Sequence, residues 1–187
     1  MQNLADLIPE EHRGTALSEA ELAAAQDQAE VSFPPDLCEL LTTTLPVGPE
    51  FPDWRHQPAQ AMRTWRERLV DVFHFDVLNN DFWLPQWGER PADAGDSRAV
   101  VVQRLAEVPP LIPIYAHRAI PNEPLANGNP VFSVWQAVDV VVYGIDLDDY
   151  LAREFHREFH DPEPRPVSAG RVIRFWSDML DVVDAAS

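Results

Sequence analysis

Two histidines one helical turn apart invite a metal. In HREFH, residues 156–160, His156 and His160 have the spacing with which a helix presents two imidazoles to zinc. A metalloprotease helix also needs Glu directly after the first His, so that its carboxylate reaches the bound water. Here that position is Arg157, and no third ligand accompanies the pair. No metal and no cofactor is expected. His117 and Arg118 form a second pair, a base beside an anion-holding cation, at the head of the stiff stretch HRAIPNEPLANGNP. That stretch also turns a corner by its own chemistry, since Asn127-Gly128-Asn129-Pro130 is a turn sequence. Spacing alone leaves open whether His117 and Arg118 face a pocket.

Other chemistry is absent or has a structural reading. The only cysteine, Cys38, excludes an intrachain disulfide and lies in an apolar helical stripe, where a buried thiol is expected. Asp148-Asp149 sit in the first turn of a helix and complement its dipole. The phosphate-cradling patterns G-x-G-x-x-G and the P-loop are missing, as is the G-x-S-x-G nucleophile elbow. With no nucleophile–base pair in view, a noncatalytic protein is expected. An enzyme with a His117/Arg118 pocket is the minor alternative.

Aromatic residues carry more of the signal. Trp54, Phe82, Trp83 and Trp87 fall in segments read as loops, with Arg90 close behind. Trp and Arg in irregular surface segments are the types that anchor protein interfaces. The same residues could fold back as a lid on the core.

The elements that must position these residues follow from pattern. Residues 18–30 read as a helix with Ser18 as cap and Glu21 closing a capping box. A second helix starts at Pro35, and a short third one over 58–68 starts at Pro58. LVDVFHFDVL (69–78) alternates closely enough for a strand, and NNDFWLPQWGERP is irregular. A helix over 97–108 ends at Pro109-Pro110, and LIPIYAH is a short strand whose Pro113 points to an edge or end position. PVFSVWQ and VDVVVYG form an antiparallel hairpin turning near Gln136-Ala137. Asp146 caps the next helix, and RVIRFWSDMLDVV closes the chain as an amphipathic helix. Helices, strands clustered in hairpins, then helices again predict an α+β fold: one domain over residues 17–187 behind an extension at 1–16.

Composition sets the class. At 45% apolar, with six Trp and nine Phe in 187 residues, the chain can bury a core. No apolar run reaches the roughly 18 residues of a membrane span, and the N-terminus lacks a signal-peptide pattern. A soluble, cytoplasmic protein is expected. Thirty-one acidic residues against 14 arginines, with no lysine, leave a net charge of −17. That charge argues against nucleic acid and anionic membranes as partners and permits a basic protein.

Several stretches in order resemble the SUKH superfamily, which includes Smi/Knr-type cell-wall assembly regulators and many bacterial immunity proteins. They are VSFPPDLCELL, LPVGPEFPDW, NNDFWLPQWGERP, LIPIYAHRAIPNEP, GNPVFSVWQAVDVVVYGIDLDDYLAREF and RFWSDML, spanning roughly residues 17 to 180. The resemblance implies an antiparallel or mixed sheet flanked by helices. It also implies a largely noncatalytic life of binding proteins, often as the antidote to a polymorphic toxin. By position it would gather Phe82, Trp83, Trp87 and Arg90 with Tyr115, His117, Arg118 and Asn129 on one face or cleft. The partner expected is a basic toxin domain; a regulatory scaffold or ligand-binding module is the alternative.

Overall fold

Ser18 opens the first helix through its own side chain. Its hydroxyl accepts from the Glu21 N–H at 3.2 Å while the Glu21 carboxylate accepts from the Ser18 N–H at 2.8 Å, a closed capping box on α1 (Glu19–Ala29). The computed structural model describes residues 3–155 and 170–180. Pro35, at the first helical position, starts α2 (Pro35–Thr43), which buries Leu37, Leu40 and Leu41. Residues before α1, set apart as an extension in the sequence, are packed into the domain. Ile8 is fully buried, and β1 (Arg13–Gly14) pairs antiparallel with β2 (Leu45–Pro46).

The expected strand at 69–78 is overturned. Pro58 starts α3 (Pro58–Asn79), which continues through that stretch without a break. Its buried residues, Met62, Trp65, Leu69, Phe73, Asp76 and Val77, recur at helical intervals of three and four. The alternating Val70, Val72 and Phe75 lie off that stripe, and Phe75 and Leu78 stay about half exposed. Asp93 caps α4 (Ala94–Ala106), accepting from the N–H groups of Gly95 and Asp96 at 2.7 and 3.1 Å, and α4 packs on α3.

The main sheet has four strands in the order β3 (Leu111–Tyr115), β4 (Arg118–Pro121), β5 (Val131–Gln136), β6 (Asp139–Gly144), with every pairing antiparallel. Pro113 lies in the edge strand β3, where a missing N–H is tolerated. β4 occupies residues read from sequence as loop. The β5–β6 hairpin forms as expected, with Gln136 opposite Asp139 and the turn at Ala137-Val138, one residue beyond the expected place. Asp146 caps α5 (Leu147–Phe155), accepting from the Asp149 N–H at 2.8 Å. α5 comes so close to the end of β6 that a β-carbon on Gly144 would stand 2.5 Å from the Tyr150 Cβ.

Both faces of the sheet are buried. Leu111, Ala119, Phe132, Val134, Val140 and Val142 face α3, α4 and the 173–180 segment. The alternate residues Ile112, Ile114, Ile120 and Val131 face α2, α5 and the N-terminal segment. The fold is therefore α+β. Of the expected closing helix, residues 178–180 are helical after a turn at 174–177; Trp176 is buried and its Nε1–H donates to the Pro109 carbonyl at 2.7 Å. Residues 181–183 lie outside the described residues, as do His156 and His160. No described helix is long and apolar enough to cross a membrane.

Candidate functional site

A cleft lies between α3 and the β3–β4 turn. Tyr115 pairs with Arg118, so Ala116 and His117 make a two-residue turn, and Ala116 takes the positive φ, 48°, that such turns require. A residue with a β-carbon adopts that conformation at a cost of about 1–2 kcal/mol. The Ala116 N–H donates to the Glu50 carbonyl at 2.9 Å, tying the turn to the loop ahead of α3. Together they enclose a cleft of about 270 Å³, walled by Phe51, Thr64, Trp65, Arg68 and Tyr115.

Arg68 is the cation of this cleft. Its Nη1 donates to the Val134 carbonyl at 2.9 Å, and its guanidinium lies 5.3 Å from the Trp65 ring centroid. It is half-buried and has no carboxylate partner among the described residues. Beside it, His117 packs edge-on against Trp135 with ring centroids 5.0 Å apart. Trp135 is 56% exposed, the most exposed described aromatic ring of its size.

His117 is held neutral. Burial first, then the charges of Arg118 and Arg68, pull its pKa down to about 4. Its Nε2 faces the Arg118 guanidinium.

Arg118 itself turns into the body of the protein. Its Nη1 donates to Ser133 Oγ at 2.9 Å, its guanidinium lies 3.9 Å from the Tyr143 ring centroid, and its Nε stands 3.6 Å from Glu154 Oε2. The last is an ion pair too long for a hydrogen bond. Tyr150, fully buried alongside, has a hydroxyl without a hydrogen-bond partner among the described residues, and burial raises its pKa well above the ordinary value. The chain's three tyrosines, 115, 143 and 150, thus gather around one arginine–glutamate pair.

The nine residues singled out from sequence do not share one face. Tyr115 lines the cleft, and His117 and Arg118 do not. Phe82, Trp83, Trp87 and Arg90 pack instead at the far end of α3, and none of them lines the cleft. Phe82 meets Phe73 edge-on at 5.8 Å, and Trp87 meets Phe82 at 5.7 Å, so both are core side chains. Trp83 is only partly exposed and donates from Nε1 to the Gly88 carbonyl at 2.8 Å. Arg90 is held by Asp81 at 2.6 Å and by the Val77 carbonyl. Trp54 is buried against Phe33, at 4.8 Å. The lid alternative describes Trp54, Phe82 and Trp87.

Asn129 is fully buried and fastens the corner. Its Nδ2 donates to the Pro121 and Pro124 carbonyls at 2.9 and 2.8 Å, and its Oδ1 accepts from Arg171. Asp36, whose pKa is raised by burial, accepts from the Gly128 N–H at 2.9 Å in the same corner. Cys38 is half-buried and its thiol pKa is likewise raised by burial. Among the described residues no group of three or more His, Cys, Asp or Glu is placed to hold a metal ion.

Sequence reasoning missed Arg68, Trp65 and Trp135. The first two were read as a short helix with no site in view. Trp135 carried a usable signal: in VFSVWQ it falls on the same strand face as Ser133, opposite Phe132 and Val134. Comparison with family models, curated proteins and solved structures finds no match to this chain.

Proposed function

We propose that this chain is a noncatalytic protein-binding domain of the SUKH type, acting as an immunity protein that neutralises a basic toxin domain. The observation that carries this reading is Trp135. A large ring left more than half exposed on a hairpin otherwise packed on both sides is the anchor type found at interface centres. His117 backs it edge-on, which holds the ring upright. The net charge of −17 supplies long-range attraction to a basic partner, so association is fast and sensitive to salt. Neither His117 nor Arg118 lines the cleft, which argues against the pocket enzyme.

Copurification with the product of the adjacent gene tests this reading. A stoichiometric complex is expected, with Trp135→Ala raising its dissociation rate at least tenfold and added salt chiefly slowing association. A complex untouched by Trp135→Ala would move the interface elsewhere; no complex at all, with a toxin-encoding neighbour in hand, would end the immunity reading. A ligand-binding module is the second reading, favoured by the cleft beside Arg68.

A further inference from the structure

Arg68 stands out among the chain's arginines. Arg13, Arg55, Arg90, Arg98, Arg104 and Arg118 each face a carboxylate. Arg68 has none among the described residues; Arg63, Arg66, Arg171 and Arg174 also lack one there, but those four are exposed and Arg68 is not. It is also half-buried, so its charge is partly stripped of water without a compensating anion. Among the described residues only its Nη1 is engaged, by the Val134 carbonyl, while Nε and Nη2 have no partner there and are not sealed from solvent. Two N–H groups of one guanidinium, open on the same fork, match the two oxygens of a carboxylate.

The rest of the cleft fits the body of such a ligand. Trp65, Phe51, Tyr115 and Pro113 give it apolar and aromatic walls, and its volume of about 270 Å³ suits a single ring with a short side chain. Glu50 and Asp53 line the same cleft; Asp53 is held by His56 at 3.1 Å, while Glu50 is exposed and has no side-chain partner among the described residues. They disfavour a second carboxylate on the ligand. We infer that the cleft is a binding site for a small monocarboxylate with a flat apolar body, its carboxylate held by the free edge of the Arg68 guanidinium and its ring against Trp65 and Tyr115. The inference is independent of any protein partner.

Titrations of the full chain with phenylacetate, phenylacetamide and phenethylamine test it, followed by the NMR signals of the Arg68 Nε–H and Trp65 indole N–H. Phenylacetate is expected to shift both signals saturably and to bind at least tenfold tighter than the amide, which lacks the charge. Arg68→Gln is expected to weaken phenylacetate at least tenfold. Equal binding of acid and amide, tighter binding of the amine, or no saturable shift with the acid would each overturn the site. Because the acid–amide–amine comparison is made on the unaltered protein, it decides the matter even if Arg68→Gln fails to fold.

Discussion

The two faces of the four-stranded sheet are buried to a similar degree and built differently. Toward α3 and α4 the strands present only hydrocarbon and aromatic side chains, closed by Phe73, Phe132 and Trp176. Toward α5 the same strands place Arg118, Ser133 and Tyr143 among the apolar residues, against Glu154 and the unpartnered Tyr150 hydroxyl. A strand contributes alternate residues to each face, so one sequence segment carries both designs. On the first face the strand side chains are held by apolar packing alone. The second trades some of it for a fixed arrangement of polar groups, and the cleft and Trp135 lie at its margin.

If that contrast holds, the largest loss should come from the apolar face. Phe132→Ala, at a fully buried position touching Trp176, is expected to lower unfolding free energy by about 3–5 kcal/mol in urea denaturation. Trp87→Ala should cost nearly as much, whereas Trp135→Ala should leave the melting temperature almost unchanged. Equal effects of the two Trp variants would erase the distinction between core and surface aromatics.

On the polar face the sharper test compares breaking the ion pair with replacing it whole. Glu154→Ala strands a mostly buried guanidinium and is expected to cost about 3 kcal/mol, while Arg118→Met with Glu154→Leu should recover at least half of that. Recovery would mean that the ion pair orders the face more than it stabilises it.

His117 gives a smaller, pH-dependent effect. Its pKa is lowered on folding, from the ordinary value of 6.5 to about 4, so the unfolded chain binds the extra proton in between. The stability it contributes is full above pH 6.5 and is lost as pH falls toward 4. For a half-exposed ring we expect about 1 kcal/mol after screening. His117→Gln should flatten the stability profile in that window by this amount relative to the unaltered chain. A profile of the same slope would show that His117 is not held neutral.

Ala116→Gly should give the smallest change. Relief of the positive φ outweighs the added freedom of the unfolded chain by about 0.5 kcal/mol. A lower melting temperature in calorimetry would argue against strain at the turn.

Much of the framework was legible from local chemistry. The capping box at Ser18 and Glu21, the proline starts at 35 and 58, and the β5–β6 hairpin each depend on residues close in sequence. The second half of α3 was not legible, because residues 69–78 satisfy a period of two as well as a period of 3.6. Only the presence of α4 and the sheet selects the face with Leu69, Phe73 and Val77. β4 was hidden for a related reason: Ala119 and Ile120 become strand by pairing with β3 and β5, against a surrounding sequence rich in turn formers. The site residues fared worst. Whether a loop Trp lies inward or outward depends on partners distant in sequence, as Phe73 is for Phe82.

α3 also holds the β5–β6 hairpin at two places. Arg68 grips the Val134 carbonyl, and the fully buried Asp76 accepts from the Val138 N–H at 3.0 Å. Eight helical residues between the two grips rise ~12 Å. The hairpin positions they hold, 134 and 138, are four residues apart, the first in the strand and the second in the turn. The helix therefore fastens the segment 134–138 at both of its ends. Trp135 lies within that segment. A partner that meets it meets a backbone already immobilised by folding, so the entropy of ordering this stretch is not lost again on association.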